Sequence, residues 1–184
     1  MILPRFLRSS QVRTIHAVYG AIVAQARSRT FYADFGVPDT VEGRFDLIVL
    51  HLVLVLRRLG QTLGQTSGQD FGQNLFDEFC RDLDGNLREM GTGDLAVPKR
   101  MRAFAEAFYG RQSAYLAALA APDPGAFENA LARNIFPVGD TAGCVALAAY
   151  ARAVVAQLDA LSDAALFSGD VVFPDPEAFA HVCV

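Results

Sequence analysis

The sequence lacks most of the features that mark enzymes, metal proteins and membrane spans. Its three cysteines, Cys80, Cys144 and Cys183, show no CxxC or other ligand spacing, so neither a disulfide framework nor a zinc site is indicated. Dinucleotide, P-loop and nucleophile-elbow motifs are absent. No apolar run is as long as a membrane span, which needs about 20 residues. The first ten residues, MILPRFLRSS, lack the apolar core of a secretory signal. We therefore expect a soluble, non-enzymatic protein of a reducing compartment, with no cofactor.

The three histidines also lack partners at metal-ligand spacing. The sequence contains no HExxH and no ExxH around His16, His51 or His181. His51 stands alone in a strongly apolar segment, where a hydrogen-bonded core histidine is the favoured interpretation. The rival interpretation is axial haem ligation by His51, with His16 as a conceivable second ligand.

Apolar sequence is what the chain has in abundance. Of its 184 residues, 52% are hydrophobic, enough for one core that buries roughly 70% of the unfolded surface. The most apolar stretch is FDLIVLHLVLVL, residues 45–56, where only Asp46 and His51 interrupt the pattern. A helix of this composition must be covered nearly all round. A short parallel strand is the competing interpretation, but the lack of turn signals favours a buried central helix over residues 40–59.

Capping signals support the start of this helix, and apolar spacings of three and four predict others on both sides. Asp39 followed by Glu42 predicts a capping box. The other predicted helices run from about Ser9 or Ser10 to Arg27, over 75–90, from a cap at Asp94 to about Ala121, from a cap at Asp123 to Ile135, and from about Thr141 to Leu161.

Two stretches are predicted to be irregular. Residues 60–72, GQTLGQTSGQDFG, are rich in glycine and glutamine, which predicts a mobile loop. The tail over residues 162–184 contains two prolines and is expected to add at most one edge strand. The predicted fold is therefore all-α: one domain, 1–184, of about six helices around the central helix, with looser C-terminal helices over 123–161.

Charge is spread unevenly along the chain, although its net value of −4 disfavours general binding to polyanions. Residues 1–33 hold five arginines and no acid, whereas residues 134–184 hold six acids and Arg152 as their one cation. Direct pairing between these two ends is one interpretation of the pattern.

A second basic cluster, KRMR at residues 99–102, begins a predicted helix. Cations in the first turn oppose the helix dipole, which costs about 0.3 to 1 kcal/mol each when they are exposed. Lys99, Arg100 and Arg102, with Arg111 farther along, therefore predict binding to an external anion, either a phosphate group or an acidic protein surface. Pairing with the acids of residues 134–184 is the alternative.

Three stretches of the sequence carry a family resemblance. They are FYADFGVPDTVEGRFDLIVLHLVLVLRRL at 31–59, FDEFCRDLDGNLREMGTGDLAVPKRM at 76–101, and AFYGR at 107–111. They resemble the ubiquinol-cytochrome c chaperone family, bacterial relatives of a mitochondrial assembly factor for the cytochrome bc1 complex. The similarity covers residues from about 19 to 119, and the LREMGxGD run followed by VPK and FYGR is its specific part.

The resemblance implies a helical, non-enzymatic chaperone that binds newly made cytochrome b near the ribosomal tunnel exit, together with a small partner chaperone. It implies a cytoplasmic protein and allows peripheral contact with the inner face of the inner membrane. Such a client would require an apolar groove beside a basic rim. The predicted partner-binding residues are Lys99, Arg100, Arg102, Phe104, Phe108, Tyr109 and Arg111.

Two other classes of function remain open at this point. One is a haem or quinone carrier that uses His51 and serves cytochrome b maturation. The other is a nucleic-acid regulator in which the helices flanking GTGD, residues 91–94, form a helix-turn-helix. The second helix of that motif would run to roughly 25 residues, longer than a recognition helix, and the net charge is negative, so we expect no binding to duplex nucleic acid.

Overall fold

The computed structural model describes residues 5–62, 65–137 and 143–181, and within these ranges the regular structure is helical with no strand. The six long helices are α1 (Arg5–Ala26), α3 (Val41–Gly60), α4 (Gln65–Glu89), α5 (Val97–Ala120), α6 (Gly125–Ile135) and α7 (Cys144–Ala160). The short elements are α2 (Arg29–Ala33), α8 (Asp163–Ser168) and a 3₁₀ turn (Pro176–Phe179). These elements confirm the predicted all-α single domain. Among the described helices, none combines the length and hydropathy of a membrane span.

The predicted central helix is α3, which packs against α1, α4, α5, α6 and α7. The apolar side chains of residues 45–56 point in every direction and are buried or partly buried by these neighbours, as the long hydrophobic run requires. The predicted capping residue is wrong by one position. The Thr40 hydroxyl accepts the Gly43 N–H at 3.1 Å, while Asp39 forms an exposed ion pair with Arg44.

The first helix begins earlier than predicted, at Arg5. Ile15, Val18 and Ile22 lie in the core, but Val12 is exposed. In the following connection, Phe31 and Phe35 are buried and stack edge to face at 5.6 Å, so these aromatics close the edge of the core.

The predicted mobile loop over residues 60–72 is wrong, because α4 already begins at Gln65. Gly68 faces the end of α3 so closely that a Cβ atom there would overlap Thr62 Oγ1. One turn later, Gly72 lies against Leu56, and Phe71 and Leu75 are buried. These glycines allow α4 to cross α3 at short range. The composition resembled a flexible linker, although the glycines serve close helix packing.

Two acids of the C-terminal region form ion pairs with arginines at the end of α3. Arg57 forms a two-pronged hydrogen bond with Asp159 at 2.8 and 3.2 Å. The buried Arg58 pairs with Asp163 at 2.7 Å and also donates to the carbonyl oxygens of Leu158 and Leu161. These contacts fasten α7 and α8 to the central helix. In the described ranges the tail, which was predicted to be irregular with at most one edge strand, forms α8 and the 3₁₀ turn and no strand.

Candidate functional site

The basic cluster predicted from KRMR lies at the exposed start of α5. The N-cap residue, Ala96, has no side-chain acceptor, and Asp94, the predicted cap, instead pairs with Arg88 at 2.5 Å. Lys99, Arg100 and Arg102 are exposed, and within the described ranges no side-chain hydrogen bond or ion pair involves them. We call these three residues the basic turn. Their positive charge therefore faces solvent at the helix end where the dipole disfavours it.

The seven predicted partner-binding residues do not share one surface, because successive α5 residues are rotated by about 100°. Arg100, Phe104 and Arg111 face α3 and line one groove. Phe108 and Tyr109 face α4 and line a smaller hollow of about 170 Å³. Sequence spacing placed all seven on one helix. It could not show that Phe108 and Tyr109 face a different neighbouring helix from the residues that line the groove.

On the α4 side, Phe108 and Tyr109 differ in what they can contact. Phe108 is buried, and its ring centroid lies 4.7 Å from that of Phe76 and 5.9 Å from that of Phe79, so it belongs to the core. Tyr109 is 56% exposed and packs one side of its ring near Phe76. Of this pair, Tyr109 is the residue available to a partner.

On the other side, an open groove of about 360 Å³ runs between the start of α3 and the first half of α5. We call it the α3–α5 groove. Phe45 and Phe104 form its apolar floor, with ring centroids 4.9 Å apart. Val41 stands at its edge and is 59% exposed. Glu42 on α3 and Arg100 on α5 are the charged residues at the rim.

A buried ion pair lies at the inner end of the α3–α5 groove. Arg111 Nη2 is 2.7 Å from Asp46 Oδ1, and Asp46 is only 5% exposed. The two charges are paired at this short distance, although the N–H bonds of Nη2 are poorly aligned with the oxygen. Burial, with Glu42 nearby, raises the pKa of Asp46 to about 6, although Arg111 opposes the shift. Asp46 is still ionised at neutral pH.

Two further buried polar atoms near this pair have no hydrogen-bond partner among the described residues. They are Arg111 Nε and the hydroxyl of Tyr115. Burial raises the pKa of Tyr115, and the charge of Asp46 raises it further, so the phenol stays protonated. Asp46 is not among the residues predicted from the sequence to bind a partner. Its one signal was an acid inside an otherwise apolar helix.

His51, the candidate haem ligand, is a hydrogen-bonded core residue. Its Nδ1 lies 2.7 Å from the Leu47 carbonyl, which can only accept, so Nδ1 carries the proton. Its Nε2 therefore accepts from the Tyr150 hydroxyl at 2.8 Å, and Tyr150 accepts from Gln25 at 3.0 Å. Burial lowers the pKa of His51 to about 4, which keeps the ring neutral.

Haem ligation by His51 would require one of these two contacts to break inside the core. His16, the conceivable second ligand, lies elsewhere and pairs with Glu78 of α4 at 3.0 Å. Across the described residues, no group of three or more histidine, cysteine or acidic side chains is placed to hold a metal ion.

Comparison with known proteins gives two matches that agree with this fold. The sequence profile described as "Ubiquinol-cytochrome C chaperone" matches residues 33–173. The crystal structure of the Cbp3 homolog from Brucella abortus is 41% identical, covers 96% of this chain and 98% of its own, and superposes with a TM-score of 0.84. We found no significant match among curated proteins. The resemblance noted in the sequence is thus confirmed, and the chain belongs to the ubiquinol-cytochrome C chaperone family.

Proposed function

We propose that this protein is an assembly chaperone of the cytochrome bc1 complex that binds newly made cytochrome b where it leaves the ribosome and meets the membrane. Family membership supports the assembly role. The observation that carries the finer proposal is the position of the basic turn. Its three exposed cations have no side-chain partner in the part of the chain that the structure describes, and one of them, Arg100, lines an apolar groove.

The basic turn is suited to a polyanionic surface such as ribosomal RNA. Lys99 and Arg100 cost the free helix about 0.3 to 1 kcal/mol each, so their stability cost is offset when an external anion neutralises them. Such an attraction is weakened by salt, because exposed charges are screened over about 10 Å at 0.1 M ionic strength. Arg100 also lines the α3–α5 groove, which links the anion-binding region to the region suited to an apolar client.

The location and the remaining partners are part of the same proposal. A protein with this task would work in the cytoplasm, with peripheral contact at the inner face of the inner membrane. A small partner chaperone is a further proposed component, for which the exposed ring of Tyr109 offers a contact surface on the α4 side.

A pull-down of tagged protein from its own cells, in mild detergent and at low and high salt, tests the proposal. We expect cytochrome b and large-subunit ribosomal proteins among the retained proteins, with the ribosomal share lost at high salt. Absence of both under gentle lysis would contradict the proposed function.

Charge reversal locates the ribosome contact. The K99E/R100E/R102E variant should keep its helical content and lose co-sedimentation with ribosomes. The matched control is R13E/R27E/R29E, which changes the same charge at three other exposed arginines outside the described ion pairs. Equal loss in both variants would indicate unspecific attraction between net charges and would overturn the assignment to the basic turn.

A further inference from the structure

Large apolar side chains stand in solvent at the end of the molecule where α4 meets α5. Leu95, in the turn between these helices, is 99% exposed, and Met90, directly after α4, is more than half exposed. We call Met90 and Leu95 the apolar tip. The exposed Val41 belongs to the same end, because it lines the α3–α5 groove together with Arg100. One exposed apolar side chain is ordinary on a protein surface, but several at one end indicate a contact surface.

The turn that carries the apolar tip has a defined shape. Gly91 has a φ of 79°, and the N–H of Thr92 donates to the Leu87 carbonyl at 3.0 Å, so α4 ends in a Schellman motif. Val97, the first residue of α5, is buried. Both ends of the turn are thus fixed to the helices that it joins. The fold therefore holds the apolar tip in solvent, and its exposure does not result from a frayed helix end.

Positive charge lies beside the apolar tip. The basic turn begins four residues after Leu95, and its cations are exposed. Between residues 88 and 102, four cations stand against two acids, which gives this segment a net charge of +2. One of these acids, Asp94, is paired with Arg88 at 2.5 Å. The segment that carries the apolar tip is therefore positive, although the whole chain carries −4.

We propose that this end of the molecule docks on an anionic lipid bilayer, with the apolar tip inserted at the boundary between headgroups and acyl chains and the basic turn against the headgroups. A bilayer surface matches both features, because anionic headgroups attract exposed Lys and Arg side chains and the acyl region accepts apolar ones. Ribosomal RNA would contact the cations through its phosphates and leave Leu95 in water. The apolar tip therefore favours a membrane over RNA as the occupant.

This inference rests on the proposed function, which includes peripheral contact with the membrane, and it names the surface that makes this contact. It also brings the α3–α5 groove close to the bilayer, since Val41 and Arg100 line that groove at the same end of the molecule. An apolar client segment bound in the groove would then be held next to the membrane.

Vesicle flotation with the purified full-length protein is the first test. The wild-type protein should float with vesicles of phosphatidylglycerol and phosphatidylethanolamine, and much less with vesicles of phosphatidylcholine alone. M90S/L95S removes the apolar tip without changing charge, so it should lower the partition coefficient roughly tenfold or more. The matched control is V12S/V172S, which removes two other exposed apolar side chains, one on α1 and one beside the end of α7. Equal binding by both variants would overturn the inference.

The absence of tryptophan from the chain allows a direct test of insertion. In L95W the fluorescence emission should shift to shorter wavelength when anionic vesicles are added, and lipids brominated on their acyl chains should quench it. V172W, at another exposed position, should show neither change. If L95W floats with the vesicles and its emission stays unchanged, another surface binds the membrane and the assignment to the apolar tip is overturned.

Ribosome co-sedimentation separates the two candidate occupants. M90S/L95S should sediment with ribosomes like the wild-type protein, because RNA phosphates require only the cations. K99E/R100E/R102E should lose both ribosomes and vesicles, and high salt should weaken both interactions of the wild-type protein. If M90S/L95S loses ribosomes and keeps vesicles, the apolar tip serves the ribosome and the inference is overturned.

The failure of this inference differs from the failure of the proposed function. A wild-type protein that retains cytochrome b in the pull-down but does not float with anionic vesicles would overturn the inference and leave the function standing. A wild-type protein that floats through the apolar tip but retains neither cytochrome b nor ribosomal proteins would support the membrane surface and contradict the proposed function.

Discussion

His51 and Asp46 lie five residues apart on the same helix and are both buried, but their surroundings differ in kind. Both ring nitrogens of His51 have partners, and the network continues through Tyr150 to Gln25. Asp46 has its charge neutralised by Arg111 but lacks an aligned hydrogen bond at Oδ1, and it lines an open groove.

His51 is a buried polar residue whose hydrogen bonds stabilise the fold, whereas Asp46 is one whose ion pair is expected to add little stability. A satisfied buried network fixes the packing of the helices that share it, here α1, α3 and α7. A buried ion pair is weak evidence for stability, because desolvation of the charges offsets their attraction. The two residues should therefore respond in opposite ways when they are replaced.

The largest effect is expected at His51. In H51A a fully buried ring is lost and the Tyr150 hydroxyl loses its acceptor, so the free energy of unfolding should fall by about 3 to 5 kcal/mol. Urea denaturation measures the change. Y150F, which removes only the hydroxyl, should cost about 1 to 2 kcal/mol. Soluble H51A with wild-type stability would contradict the structural role of this network.

As the pH falls, His51 and Asp46 should change the free energy of unfolding in opposite directions. The pKa of His51 falls from 6.5 to about 4 on folding, so the unfolded state binds its proton first and stability is lost as pH falls through this window. The pKa of Asp46 rises from 3.8 to about 6, so the folded state binds its proton first and stability is gained as pH falls from 6. Each contribution reaches roughly 2 to 3 kcal/mol by pH 4.

Replacing Asp46 should leave the contribution of His51 to the pH dependence of stability unopposed. Between pH 6.5 and 4, D46N should lose roughly 2 kcal/mol more stability than the wild-type protein, because the Asp46 contribution is missing. Urea denaturation at closely spaced pH values measures both profiles. Superimposable profiles would show that Asp46 is not held in a desolvated position.

Replacing the whole ion pair tests whether it is kept for stability. D46L/R111M substitutes apolar groups for both charges, and such replacements are often neutral or stabilising by about 1 to 4 kcal/mol. We expect stability at or slightly above that of the wild-type protein. A marked loss of stability would place Asp46 in the same structural class as His51.

The smallest effect is expected at the basic turn. Reversing Lys99 and Arg100 to glutamate places negative charge at the start of α5, which should stabilise the protein by about 0.3 to 1 kcal/mol per position at low salt. Thermal denaturation at low and high ionic strength checks this, since the gain should shrink with salt. A lowered melting temperature would mean that these cations have internal partners after all.

The sequence alone was sufficient for the helical class, the central helix and the family. An apolar run within a long stretch without turn signals favours a helix over a strand, and such a helix must be covered on all sides, so α3 could be predicted from residues 45–56. His51 could be predicted as a core residue for the same reason. These features depend on local periodicity and composition, which a sequence records directly.

Only the tertiary structure decided which side chains face each other. Asp46 and Arg111 are separated by 65 positions in the chain, and the crossing of α3 and α5 brings them together. The same packing separates Phe108 from Phe104 and turns the glycine-rich stretch after α3 into the close-packed start of α4. The neighbour that a helical side chain faces depends on how the helices pack. The α3–α5 groove therefore could not be predicted from spacing along one helix.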